Sequence, residues 1–569
     1  MDAGKRTIND IFNGNRILEI PFFQRAYVWG DEQWERLLED MEHVSQTSKP
    51  YFLGSVILKQ QPTNTGNKVG DKRTLIDGQQ RLTTLSIFFK VLSLKSGDDY
   101  EFNRMFKLRD LIAIQHNHND IDAYELVMNL KELKEMAGTD NITQAYTYFK
   151  TNLNADKLDI NNILAKILFV GIDLDENEDE QQIFDTINSL GVKLTTAELL
   201  KNYFFNRDEI STYTTYWKNV FEKDEETKNY WDREITAGRL KREFIDLFFF
   251  SYLQIKIQEN TFSVKTEDKI EFSKVEQLFE SYKKFIKDYL NNDKKSILSE
   301  IKDYALLFQE NFDYDIIESD LTDNSGIERI NAIIFGLDTS TLIPYVLYVL
   351  KNVSNDNDRN ELFDFLETYI MRRMVAHANT KNYNQLFTDR LINNEITSKA
   401  KFLEFLEGQA DKVNFLPSDD ELKIGFESSY LINKQSAGIL YFIESKIRNR
   451  QLQSTQLLGI NKYSLEHLMP KKWENNWGKL ASQEDKIKRN RKLLTLGNLT
   501  IITQALNSTI RDANWTVKRK GKADKKGLNT YSAGLETISS YLTLDEWNEQ
   551  TIDQRAEFLY EKAKEIWKA

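Results

Sequence analysis

The chain has no cysteine in its 569 residues, which excludes disulfide bonds and every thiolate-bound zinc site. Proline is scarce: there are six, and none falls between Pro62 and Pro344, so helices can run through that interval unbroken. No apolar run approaches the length of a membrane span, since F-I-D-L-F-F-F-S-Y-L at 244–253 is too short and is interrupted. The opening M-D-A-G-K-R-T carries no hydrophobic signal segment, so a cytoplasmic protein with no membrane partner is expected. Histidine is also rare. With only five in the chain, a Glu-His pair carries weight.

That pair is Glu466-His467, in S-L-E-H-L-M-P at 464–470. A second block, L-G-N-L-T-I-I-T-Q-A-L-N-S at 496–508, places Asn498 and Asn507 nine residues apart. An acid and a histidine on a short strand, then a turn, a second strand and a helix returning an amide, is the pattern of a ββα-metal site. Hard divalent cations take carboxylate and amide oxygens. A neutral imidazole has a pKa near the working pH and can deprotonate an attacking water. The stretch resembles the HNH nuclease superfamily, in the branch with E-H-x-x-P followed by L-G-N-L. That resemblance implies His467 as general base, with Glu466 and Asn507 holding Mg²⁺ or Mn²⁺. It also implies that Asn498 pins the loop between the strands. The last position is Asn rather than the commoner His, and the gap from His467 to Asn498 is long.

A separate signal lies at the other end. Residues 20–29 read I-P-F-F-Q-R-A-Y-V-W and 75–85 read L-I-D-G-Q-Q-R-L-T-T-L. Gly78 marks a turn between a strand ending at Ile76 and a helix starting near Gln80. Such a junction offers unpaired backbone N–H groups and a positive helix end, which suit a phosphate. Arg81, in the first helical turn, can grip phosphate oxygens with its fork. Gln79 and Gln80 can orient a water or read a base edge, and Asp77 can hold a metal or a ribose. Gln24, Arg25 and Tyr27 can close the same pocket. The plain alternative is an ordinary tight turn with an exposed arginine.

These two blocks are similar to the N-terminal domain of the GmrSD-type modification-dependent restriction systems. A third block, Q-I-F-D-T-I-N-S-L-G-V-K-L-T-T-A-E-L-L-K-N-Y at 182–203, fits the same family. In it, Thr195 and Glu198 have capping-box spacing, and Lys201 and Asn202 follow on the helix so begun. The resemblance implies a ParB/sulfiredoxin-like fold that uses D-G-Q-Q-R to bind and hydrolyse a nucleoside triphosphate, GTP or ATP. The nucleotide domain first and the nuclease last is the order of the fused single-chain form.

The net charge of −12 disfavours a polyanionic partner in sum, but its distribution matters more. Six acids fall within 173–180, whereas K-R-N-R-K at 488–492 and V-K-R-K-G-K-A-D-K-K at 517–526 flank the HNH blocks. Lys488, Arg489, Arg491, Lys518, Arg519 and Lys520 are the candidate DNA-phosphate contacts; a solvated loop is the alternative. Leu240, Phe244, Leu247, Phe248, Tyr252 and Ile255 are spaced for one apolar helix face, which reads as core. Residues 62–71 read as a flexible hairpin or insertion, and Asn355–Asn360 as a polar break between helical blocks. His377 reads as structural, and His116 and His118 as a surface loop.

The expected fold is α+β and mostly helical. It comprises a nucleotide domain over 1–205, a helical coupling region over 206–430, and a ββα-metal nuclease domain embedded in helices over 431–569. The expected function is an antiphage restriction protein that binds and hydrolyses NTP and nicks or cuts DNA, expected to be modified phage DNA, in a Mg²⁺- or Mn²⁺-dependent step. A homodimer or partner defence proteins are compatible with this reading. Two other classes fit less of the sequence: a nucleotide-controlled DNA-binding regulator with an inactive HNH fold, and an RNA-targeting HNH toxin.

Overall fold

The computed structural model describes residues 2–13, 15–21, 24, 26–47, 49–61, 71–175, 195–205, 209–237, 240–408, 413–428, 430–449, 456–503, 506, 512–522, 525–531 and 534–569. The chain forms two compact units, Met1–Thr214 and Thr215–Ala569, and is mostly helical with one sizeable sheet. Among the described residues, no helix is long and apolar enough to cross a membrane.

The sheet belongs to the first unit. Its six strands are ordered Asp2–Thr7, Ile167–Leu174, Tyr51–Gln60, Asp71–Asp77, Arg16–Glu19, Ile114–Gln115. The inner strand Tyr51–Gln60 pairs parallel with Ile167–Leu174 and antiparallel with Asp71–Asp77. Its Val56, Ile57 and Leu58 are buried on both faces, which is why this stretch reads as a continuous apolar run. Helix Gln79–Ser96 is buried without interruption from Leu82 to Ser93, including Lys90 and several small polar residues. Its small polar side chains are matched inside the core: Ser86 Oγ lies 2.7 Å from Tyr124 Oη, and Thr83 Oγ1 lies 3.0 Å from a ring nitrogen of His116. His116 is therefore a core residue, 1 % exposed, and not part of a surface loop. Its other ring nitrogen lies 3.6 Å from a carboxylate oxygen of Asp120, four positions on.

The second unit packs helices around aromatic side chains. Phe244, Phe248, Phe249 and Tyr252 of helix Phe244–Lys256 are all buried, with Phe249 stacked on Trp217 at 5.5 Å. Leu240 does not join this helix; it lies in strand Leu240–Glu243, paired antiparallel with Glu234–Ala237. The break expected near 355–360 lies at 353–355, between helices Ile343–Asn352 and Asp356–Val375, and residues 356–360 already belong to the second helix. Asn355 caps helix Asp356–Val375 by accepting from the amides of Asn357 and Asp358 at 2.9 and 3.1 Å. His377 follows that helix in the left-handed region at φ 54°.

Buried arginines fasten this helix to the end of the chain. Arg372 donates to the Trp567 carbonyl at 2.6 Å and to the Pro417 carbonyl at 2.8 Å. Arg329 forms a two-bond pair with Glu367, which also accepts from the Trp567 indole at 3.1 Å. The helical block and the residues after 431 thus share one packed body. Within it, strands Tyr463–His467 and Leu499–Thr503 make a short antiparallel ladder, with Glu466 opposite Thr500 and His467 opposite Leu499.

Candidate functional site

In the first unit, the D-G-Q-Q-R segment forms the strand-turn-helix junction that its glycine implies. Strand Asp71–Asp77 ends at Asp77, and helix Gln79–Ser96 begins after Gly78 at φ 102°. A Cβ at Gly78 would lie 3.0 Å from Val56 Cγ2, so both the conformation and the space favour glycine. Arg81 reaches back from the first helical turn. It donates to the Ser55 carbonyl at 2.7 Å and to Asp77 Oδ2 at 3.2 Å, and the same carboxylate oxygen accepts from Ser55 Oγ at 2.6 Å. Among the described residues Arg81 Nε has no hydrogen-bond partner. That nitrogen is buried, and the guanidinium is held in place by its Nη2 bonds. A cavity of about 240 Å³, bordered by Trp29, Arg36, Phe52 and Arg81, opens beside it.

The other candidates at this end divide by what they touch. Gln24 donates to the carbonyls of Leu75 and Ile76 at 3.2 and 2.6 Å, stitching the first motif onto the strand end. Gln80 accepts from the Val28 amide at 2.9 Å and donates to the Ala26 carbonyl at 3.3 Å. Both amides are thus occupied in joining the two motifs. Gln79 is buried, and so is Tyr27, whose hydroxyl lies 2.6 Å from Thr84 Oγ1 and accepts from the Trp34 indole at 2.7 Å. Tyr27 is therefore a core residue rather than a pocket wall, because its ring and hydroxyl are both enclosed. Thr195 and Glu198 form the capping box, with reciprocal bonds of 2.8 and 3.3 Å, and Lys201 lies on the helix it starts. Arg25, the Asn202 side chain and residues 182–194 lie outside the described residues.

In the second unit, Glu466 and His467 close the first strand of the short ladder. Asn498 is wholly buried and all its side-chain bonds are internal. Its oxygen accepts from the Met469 amide at 2.9 Å and the Trp547 indole at 3.0 Å; its nitrogen donates to the carbonyls of Met469 and Leu493, both at 2.9 Å. It ties the turn after His467 to the turn before the second strand and touches no reacting group. Beneath the same turn, buried Arg555 donates to the carbonyls of Gly497 and Leu499 at 2.9 and 2.7 Å. Gly497 leaves the room this needs: a Cβ there would lie 2.3 Å from the Ile552 carbonyl oxygen.

The His467 ring makes no hydrogen bond among the described residues, and burial pushes its pKa down to about 4, with Lys471 and Lys518 adding repulsion. At neutral pH it is an uncharged imidazole, and a weaker base in this arrangement than the free ring, whose pKa near the working pH was the expectation. Glu466 is buried and paired with Lys518, whose ammonium also donates to the His467 carbonyl at 2.6 Å. Burial raises the Glu466 carboxyl and lowers the Lys518 ammonium, each against the pull of the other charge. Asn507 lies outside the described residues. Among the described residues no three His, Asp or Glu side chains gather as a metal site. As arranged, then, the described donors do not fit a divalent ion: the strand carboxylate, Glu466, is already compensated by a lysine.

The six basic candidates split evenly. Lys518, Arg519 and Arg489 are buried and engaged, which removes them as phosphate contacts in this arrangement. Arg519 bonds the Leu544 carbonyl and Asp545, while Arg489 pairs with Glu549 at 2.6 Å and lies 4.6 Å over the Trp473 ring. Lys488, Arg491 and Lys520 are exposed. The tract at 488–492 is the last turn of helix Gln483–Lys492, not a loop, and the helical turn sends Arg489 inward while Lys488, Asn490 and Arg491 stay exposed. Sequence reasoning gave no site role to Gly54, Ser55, Trp547 or Arg555, because their partners lie far along the chain.

Residues 8–205 match the family model described as GmrSD restriction endonuclease, N-terminal domain. Residues 416–562 match the model described as GmrSD restriction endonucleases, C-terminal domain. Together the two matches span more than half of the chain. No curated protein matches it.

Proposed function

Because the chain belongs to the GmrSD restriction endonuclease family, we propose that its C-terminal module cuts DNA by HNH-type chemistry and that its N-terminal unit binds and hydrolyses a nucleoside triphosphate. The observation that carries the nuclease reading is the placement of the His467 ring: unbonded among the described residues, beside Glu466, and seated at the end of a strand pair locked by Asn498. In this reading His467 takes the proton of the attacking water, and exposed Lys488, Arg491 and Lys520 hold the phosphate backbone.

The nucleotide reading is supported by the Arg81 guanidinium, which is held by Ser55 and Asp77 beside a cavity with an aromatic wall. Phosphate oxygens suit the arginine fork and a base suits a ring face. The proposal takes modified phage DNA as the target and the cytoplasm as the setting, in keeping with a restriction role.

The test is incubation of the purified protein with modified and unmodified DNA, with and without NTP and Mg²⁺, beside His467→Ala. Loss of a general base costs about 10²–10⁴ in rate, so cleavage should vanish while NTP turnover persists. Cutting by His467→Ala at the wild-type rate would refute the HNH assignment.

A further inference from the structure

The carboxylate expected to hold a divalent ion faces an ammonium instead. The Lys518 side chain is 0 % exposed; its Nζ pairs with Glu466 Oε1 and donates to the His467 carbonyl at 2.6 Å. Two oxygens from consecutive residues at the end of the strand thus converge on one buried cation. Its placement is built in, because the helix that carries it, Trp515–Lys520, is fixed on both sides of Lys518. Asn514 caps it by accepting from the Val517 amide at 3.0 Å, the Trp515 indole donates to the Leu544 carbonyl at 2.9 Å, and Arg519 bonds that same carbonyl.

Burying a carboxylate unpaired is costly, and so is burying an ammonium; each is tolerated here because of the other. A divalent ion brought to Glu466 would face Lys518 across one carboxylate, where burial leaves the repulsion poorly screened.

We infer that Lys518 is the resident cation of this centre: it neutralises Glu466 in the folded protein, and a divalent ion reaches that carboxylate only by displacing the ammonium. The inference rests on reading the 463–503 strand pair as the nuclease centre, and extends it by making metal and lysine competitors for one group. Lys518 is a positioning residue in this scheme. It holds Glu466 and the His467 backbone, and its withdrawal is a condition for loading the centre.

The test uses Mn²⁺ binding to the full chain, followed by titration calorimetry or by the Mn²⁺ electron-spin signal, with no DNA present. Lys518→Met should bind Mn²⁺ about tenfold more tightly or better than wild type, since the competing charge is gone. Lys518→Arg should stay near wild type, and Glu466→Gln combined with Lys518→Met should lose the gain. Lys518→Met that binds Mn²⁺ equally or more weakly, or not at all, overturns the proposal, because Lys518 would then support metal binding or have no part in it.

Should Lys518→Met not fold, wild-type protein gives a second measurement. Lys518 should resist an acylating reagent without Mn²⁺ and become labelled once Mn²⁺ saturates the protein. Protection that persists at saturation also overturns the proposal. Neither measurement uses cleavage, so a failed nuclease assignment and a failed competition are told apart.

Discussion

The Trp547 indole donates to the side-chain oxygen of Asn498 at 3.0 Å, the same oxygen that accepts from the Met469 amide. A residue beyond both strands thus completes the pin that fixes the turn after His467. Removing the pin strands buried polar groups on three sides. Asn498→Ala should lower unfolding stability by about 2–4 kcal/mol, since each buried group left unpaired costs about 1–3 kcal/mol. Trp547→Phe removes one donor and should cost less. Denaturant unfolding of both variants checks this order, and an Asn498→Ala protein as stable as wild type would mean that Asn498 is not the pin.

Gly54 and Arg81 are tied by space. At Gly54, φ is 129°, and a Cβ there would come within 3.1 Å of the Arg81 guanidinium. Gly54→Ala should therefore displace the arginine from the Ser55 carbonyl without touching its charge. If Arg81 clamps phosphate, NTP hydrolysis should fall about tenfold or more in both Gly54→Ala and Arg81→Ala. Turnover unchanged in both would move the nucleotide site away from D-G-Q-Q-R.

Exposed Lys488, Arg491 and Lys520 are the members of the basic tracts available to a phosphate backbone. Changing all three to Ala should weaken binding to every DNA sequence alike and flatten the slope of log K against log salt by up to about 0.9 per lost contact. NTP hydrolysis without DNA should be untouched. A triple variant with the wild-type salt slope would send the search for the DNA path elsewhere on the second unit.

Burial lowers the pKa of His116 below the usual 6.5, against the pull of Asp120, so the folded state holds this ring neutral. Below pH 6.5 the unfolded chain takes up a proton that the folded chain does not. The stabilisation is full above that value and drains away as pH falls toward the folded pKa, at up to about 1.4 kcal/mol per pH unit. Melting curves of wild type and His116→Gln between pH 7.5 and about 5 should therefore converge with falling pH. Parallel loss in both proteins would assign the acid sensitivity to other groups.

The sequence alone settled what depends on short-range spacing. The mostly helical α+β class, the turn at Gly78, the capping box of Thr195 and Glu198, and the membership of both ends in one family all rest on residues a few positions apart. Backbone conformation and helix starts are local, so their signals are local. The motif residues were legible for the same reason, but their partners were not. Whether Tyr27 lines a pocket or fills a core, whether Gln80 meets a ligand or the backbone of Ala26 and Val28, and whether His116 is exposed or buried depended on strands and helices far along the chain. The basic tract at 517–526 is the sharpest case. Charge counting grouped Lys518 with Lys520, yet the helix turns the first onto Glu466, 52 positions away, and leaves the second in water. Burial is decided by what the rest of the chain packs against a side chain, and burial changes an ammonium from a contact for solvent and phosphate into the partner of one particular carboxylate.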